Sequence, residues 1–176
     1  MRCRGCNSTN LKLILDLGEQ PWCNDFLSKE QVGKEKFYPL RLCVCSDCEL
    51  LQLDHTVPKE TMFQDHQYLS GMTNTLINHF YEVAEENTEQ FDIQQDDLIV
   101  DIGGNDGSQL IQYQKLGCDN VLNIESAIRV SDIARENGVP TLTEFFDEDT
   151  VDSHLEEKSV KLYNASGVFF HLEELH

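Results

Sequence analysis

Six of the seven cysteines lie within the first 48 residues, at Cys3, Cys6, Cys23, Cys43, Cys45 and Cys48, with Cys118 alone downstream. Two C-x2-C pairs can be written among them, Cys3/Cys6 and Cys45/Cys48. Each spacing lets a tight turn aim two sulfurs at one point, and two such turns supply the tetrahedron of thiolates that zinc prefers. The odd total and the lack of an export signal at Met1 argue against a disulfide framework. A four-cysteine site has no open position for a substrate water, so the zinc expected here is structural. Cys43 is expected to pack inside a strand, and Cys23 to be a small buried apolar residue.

A second stretch with chemical content is LIVDIGGNDGSQL, Leu98 to Leu110. It follows a short apolar run and precedes a helical pattern, as a nucleotide-binding glycine turn does. A dinucleotide turn, however, needs a further glycine and an open helix N-terminus for the pyrophosphate. Asn105 stands where that glycine belongs, and Asp106 sets a carboxylate against any phosphate. The loop suits a cationic ligand without phosphate, and S-adenosylmethionine answers that description. Asp101 and Asp106 can attract its cation, and Gly103 and Gly107 let the backbone come close. Glu125, at the end of the next apolar run, stands where such sheets place an acid for ribose hydroxyls. A dehydrogenase is set aside on the same loop argument.

The elements that must position these residues follow from pattern. Residues 1–57 have room for a few short strands but not for a core of their own, which is a further reason to expect zinc. Residues 58–90 hold a loop and a helix from about Thr73 to Thr88, with Leu76, Ile77, Phe80 and Val83 on one face; His79 reads as a packed residue of that helix. Residues 91–176 alternate apolar runs with helical patterns: LIVDI, then a helix to Gly117, NVLNIE, a helix to Gly138, and a later strand over KLYNASGVFF. The fold class expected is α/β: a small N-terminal zinc-binding β module, a helical linker, and the first part of a Rossmann-like sheet.

Charge divides the chain in the same way. Residues 1–60 carry eight Lys and Arg against nine Asp and Glu, and residues 61–176 five against twenty-three, so nearly all of the net −19 lies in the second part. Such a field repels phosphate backbones and excludes nucleic acid as a partner. No apolar run is long enough to cross a bilayer. A cytoplasmic protein with no membrane partner is expected.

The order CRGC, LDLGEQPWCNDFL, YPLRLCVCSDCELLQL, MFQDHQYLSGMT, VDIGGNDGSQL, NIESA, TEFF and GVFFHLEELH resembles the sugar C-methyltransferase family. The resemblance implies an N-terminal zinc module, a class I methyltransferase sheet and a C-terminal substrate domain. It also implies methyl transfer from S-adenosylmethionine to carbon 3 of a nucleotide-linked 4-keto-deoxysugar. In that scheme His171 matches the family's histidine and is the candidate base, with Tyr68 and His66 in the substrate loop. Ser126 and Ala165 join Asp101, Gly103, Asn105, Asp106, Gly107 and Glu125 around the cofactor. His66 stands where the family has tyrosine, Ser126 where it has proline, and Gly167 where it tends to have asparagine. The later strands and substrate domain have no counterpart before His176. A fragment, half of a split enzyme, or a short chain covered by a complementing chain or a second copy is therefore expected. The alternative function is a non-catalytic zinc-binding or assembly module with a remnant sheet.

Overall fold

The computed structural model describes residues 1–23, 26–64 and 67–171. Contacts divide these residues into two compact units, Met1–Met62 and Phe63–His171.

The first unit is a three-stranded antiparallel sheet of β1 (Leu11–Pro21), β2 (Phe37–Cys45) and β3 (Leu51–Leu53), in that order. Two register shifts interrupt the pairing of β1 with β2, between Leu13 and Leu15 and between Asp16 and Glu19. Among the described residues of this unit only Cys3, Cys43, Cys45 and Gln52 are buried, so no apolar core of ordinary kind exists here. Cys43 is buried as expected, but Cys23 is exposed. It sits just past the end of β1, in the long connection to β2, where nothing packs over a lone thiol. A short helix α1 (Lys59–Phe63) follows β3.

The second unit begins with a 3-10 turn at Ser70–Met72 and the helix α2 (Asn74–Gln90). Thr73 caps α2, its Oγ accepting the Leu76 N–H at 3.4 Å. Phe80 and Ala84 are the residues that α2 buries, and His79, expected to be packed, is exposed. Then come β4 (Leu98–Ile102), α3 (Ser108–Lys115), β5 (Val121–Ile124), α4 (Ile128–Glu136), β6 (Thr141–Leu142), α5 (Glu148–His154) and β7 (Val160–Asn164). The four strands form one parallel sheet in the order β6-β5-β4-β7. This is the α/β architecture expected from the alternation of apolar runs and helices. The last strand is shorter than its apolar stretch: it stops at Asn164, the chain turns with Gly167 at φ +78°, and a 3-10 turn covers Phe169–His171.

Ala84, Ile93, Ile99, Leu110, Tyr113 and Val139 are central to the core of this unit. Strand order reverses beside β4, since β5 and β6 lie on one side and β7 on the other. In open parallel sheets ligands bind outside the carboxyl ends of the strands at that reversal. The loops after β4 and β7 flank this position. No helix among the described residues is long and apolar enough to cross a membrane.

Candidate functional site

Cys3, Cys6, Cys45 and Cys48 come together, with all four Sγ atoms within 4.8 Å of one another. The two turns are built alike. Asn7 adopts φ +60° and donates its N–H to the Cys3 carbonyl at 2.9 Å; Glu49 adopts φ +63° and donates to the Cys45 carbonyl at 2.9 Å. Each turn thus curls its second sulfur back toward its first. A clasp joins them: Asp47 accepts from the Ser8 hydroxyl and, at 3.1 Å, from Asn10 Nδ2, while Ser46 N–H donates to the Asn10 carbonyl at 2.9 Å.

The sulfur spacing fits a metal. A zinc ion bonded to four sulfurs at about 2.3 Å holds them about 3.8 Å apart. Here Cys3 and Cys48 are 3.5 Å apart and Cys6 and Cys45 are 3.6 Å apart. Burial works against ionising Cys3, but the backbone N–H groups of Cys6 and Gly5 and the neighbouring sulfurs bring its thiol down to about 7. Cys6 goes the other way: the Ser8 backbone favours its thiolate, yet the Cys48 sulfur, burial and the other two sulfurs push it up to about 12. Four packed thiols without a cation do not all ionise, and a divalent metal supplies what they lack.

The second constellation surrounds the loop after β4. Gly103 takes φ +62° and Gly107 φ +78°, and Asn105 is also left-handed at φ +55°. A side chain on Gly104 would meet Asn123 Oδ1 at 2.5 Å and Asp101 Oδ2 at 2.6 Å, so bare backbone is required there. Asp106 caps the start of α3, its Oδ1 accepting from Ser108 N–H at 3.2 Å and from the Ser108 hydroxyl at 2.6 Å. The place where a pyrophosphate would sit on a dinucleotide turn is filled by the chain's own carboxylate.

Asn105 and Asp106 have a further task that sequence reasoning missed. Asn105 Oδ1 accepts from Ser70 N–H at 2.9 Å, and its Nδ2 donates to the Tyr68 carbonyl at 2.9 Å. Asp106 Oδ2 accepts from Gly71 N–H at 2.8 Å. Two adjacent side chains therefore pin the Tyr68–Met72 segment onto the glycine loop. The carboxylate expected to attract a cation is engaged in bracing. Gly71 is needed for this closeness, because a Cβ there would lie 2.6 Å from Ser108 Oγ and 2.9 Å from Asp106 Oδ2. We expect Gly71→Ala to cost about 1–3 kcal/mol by overpacking. Thermal melting would read this, together with faster hydrogen exchange at residues 68–72; unchanged exchange would show that the segment is held by other means.

Glu125 lies just beyond β5 and is buried. Its Oε2 accepts from Asn105 N–H at 3.0 Å and its Oε1 from Ala127 N–H at 2.8 Å. Burial raises its pKa, and those N–H groups and that of Ser126 partly offset the rise. Ser126 is half-buried beside it. Ala165, also half-buried, begins the loop after β7, where Ser166 Oγ donates to Gln109 Oε1 of α3 at 2.9 Å. Gly103 faces this loop, with the Val168 side chain 2.7 Å from where its Cβ would be.

His171 ends the 3-10 turn, its N–H donating to the Val168 carbonyl at 2.8 Å. Its ring is tilted against Phe170 (4.3 Å between centroids) and Phe63 (5.2 Å). Tyr68 is exposed, and it is the Tyr68 carbonyl that Asn105 holds. His66 lies outside the described residues.

Beneath Gly104 runs a polar row that pattern reading did not single out. Asp101 is paired with Asn123 of β5 on one side and with Asn164 of β7 on the other. All three are buried. Asn123 Nδ2 donates to the Asn105 carbonyl at 3.0 Å, and Asn164 Oδ1 accepts from the Tyr113 hydroxyl at 3.2 Å. That leaves Asp101 Oδ1, Asn123 Oδ1 and Asn164 Nδ2 without hydrogen-bond partners. Burial first, then the nearby charge of Glu125, raises the Asp101 carboxyl to about 7.

Residues 3–63 match a family of domains described as "Putative zinc binding domain". The chain is also similar to the C-methyltransferase NovU of Streptomyces niveus, at 26% identity over 141 residues. The match covers 80% of this chain and 33% of that protein, so the chain spans about a third of its relative's length. The similarity is a distant homology to a C-methyltransferase.

Proposed function

We propose that this chain supplies the zinc module and the S-adenosylmethionine-binding portion of a C-methyltransferase acting at carbon 3 of a nucleotide-linked 4-keto-deoxysugar. The observation that carries the reading is the loop after β4. It offers bare backbone at Gly103 and Gly104 above a buried acid with an unpartnered oxygen, Asp101, and it has its phosphate seat filled by Asp106. That combination favours a cation over a phosphate. Similarity to a C-methyltransferase over most of the chain points the same way.

S-adenosylmethionine, when bound, supplies an electrophilic methyl group on a positively charged sulfur. Asp101 would face its ammonium, and the lone pairs left on the Glu125 carboxylate would accept from ribose hydroxyls. Gly107, Ser126 and Ala165 would border the same crevice. His171 would take the proton from the carbon beside the ketone, the electrons of that C–H bond passing into the carbonyl as an enolate. The enolate carbon so formed would be the one to accept the methyl group that the cofactor would supply. The Tyr68 hydroxyl, and His66 beside it in sequence, would steady the enolate oxygen. The remaining parts of the substrate pocket would come from another chain or a longer form of this one.

Calorimetric titration of the zinc-loaded chain with S-adenosylmethionine and with NAD tests the cofactor assignment. Micromolar binding of the first alone, weakened at least tenfold in Glu125→Ala, is the expected result. Binding of neither would overturn the assignment and leave the zinc module as the seat of function in assembly.

A further inference from the structure

In the loop after β4 the left-handed backbone falls on Gly103, Gly107 and one residue with a side chain, Asn105, at φ +55°. A glycine would hold that bend without strain, so the side chain needs another reason to be there. Its polar groups are engaged in three directions. The Asn105 N–H donates to Glu125 Oε2 at 3.0 Å, and its carbonyl accepts from Asn123 Nδ2 at 3.0 Å. Its side chain holds the Ser70 N–H through Oδ1 and the Tyr68 carbonyl through Nδ2, each at 2.9 Å. One residue thus touches both the acid at the end of β5 and the segment that carries Tyr68.

None of residues 68–72 is buried. Leu69 enters the 3-10 turn in an extended conformation, φ −120° and ψ 124°. A segment with so little apolar burial depends on hydrogen bonds, here those to Asn105 and, from Gly71, to Asp106. Segments held in this way open locally at low free energy. At the other end of the chain of contacts, the buried Glu125 carboxylate accepts from Asn105 and Ala127. Ribose hydroxyls donating to its remaining lone pairs would favour the ionised form, and an ionised acceptor binds the Asn105 N–H more strongly. Asn105 then has less freedom to leave its bend, and its side chain less freedom to release Tyr68 and Ser70.

We infer that Asn105 is a positioning residue through which the cofactor sets Tyr68: a ribose held at Glu125 fixes Asn105, Asn105 fixes residues 68–72, and the sugar therefore binds after the cofactor. The inference rests on the proposed S-adenosylmethionine site. By linkage, a fixed 68–72 segment tightens cofactor binding by the same factor.

Hydrogen exchange in residues 68–72 of the zinc-loaded chain, with and without saturating S-adenosylmethionine, tests this beside a calorimetric titration. The cofactor should slow exchange at the Ser70 and Gly71 amides roughly fivefold or more. Ser70→Pro is the informative variant. Proline fits the first position of a turn that follows an extended residue, so the change removes the N–H that Asn105 accepts and leaves the cofactor loop alone. In it the slowing at Gly71 should be lost, and cofactor affinity should fall about two- to fivefold. Asn105→Gly, which keeps the left-handed bend and the N–H to Glu125, should lose the slowing as well. A brace with only a structural role speeds exchange equally in both states and leaves their ratio unchanged. Cofactor binding without slowing at 70 and 71, or slowing that persists in both variants, overturns the inference and leaves the proposed function standing. No cofactor binding at all removes both.

Discussion

Cys45→Ser will leave residues 1–62 unfolded while residues 63–171 keep their structure. Cys45 is fully buried, and the other buried residues described in its unit are Cys3, Cys43 and Gln52. β1, the longest strand, has Leu13, Ile14, Leu15 and Leu17 all exposed, so the sheet gains little from apolar burial. The metal must do the work that a core does elsewhere, and structural zinc sites bind with about 10–16 kcal/mol of free energy that becomes folding free energy. No local contact in this unit approaches that size. Metal analysis should give one zinc for the unaltered chain and much less than one for Cys45→Ser. The amide spectrum should show residues 1–62 collapsed to unfolded positions. Cys23→Ser, at an exposed thiol, is the control and should keep its zinc. A dispersed spectrum for residues 1–62 in Cys45→Ser would mean that the sheet stands without metal.

Asp101→Asn has the second largest expected effect, and its sign depends on pH. The carboxyl titrates at 3.8 in an unstructured chain and at about 7 in the fold, raised by burial and by Glu125. A raised carboxyl pKa means that the folded state prefers the protonated form. Stability from this group is therefore complete below the unfolded pKa, falls as pH rises from about 4 to about 7, and is level above that. Holding this carboxyl ionised in the fold at pH 8 costs roughly 4 kcal/mol. An amide escapes the penalty and suits its neighbours: its NH2 matches the spare Asn123 Oδ1, and its oxygen matches the spare Asn164 Nδ2. Asp101→Asn should raise the melting temperature of the second unit at pH 8 and hardly change it at pH 4. It should also weaken S-adenosylmethionine, whose cation would lose its counter-charge, so stability and binding move in opposite directions. A melting temperature equal to the parent's at pH 8 would show that Asp101 is ionised at no cost.

The zinc cluster and the parallel strands were legible because both are written locally. A C-x2-C turn and an apolar run carry their meaning within a few residues, and the spacing of Cys3, Cys6, Cys45 and Cys48 needs only the hairpin to bring the two turns together. The glycine loop was half legible. Its unsuitability for a phosphate followed from Asn105 and Asp106, but what those side chains hold did not. Their partners, Ser70 and Gly71, lie 35 residues earlier in the chain. The row of Asn123, Asp101 and Asn164 was hidden for the same reason, since strand order and register put the three side by side. Cys23 was misjudged because composition alone favours burying a thiol, and the open loop beyond β1 offers nothing to bury it.

The clasp between the two cysteine turns bears on how the chain is made. Cys3 and Cys6 emerge from the ribosome first, but their partners follow about 40 residues later. At about 5–20 residues per second that is roughly 2–8 s with one thiol pair waiting for the other. During that interval the waiting thiols are open to oxidation, so zinc present during synthesis should raise the yield of the folded N-terminal unit more than zinc added afterwards.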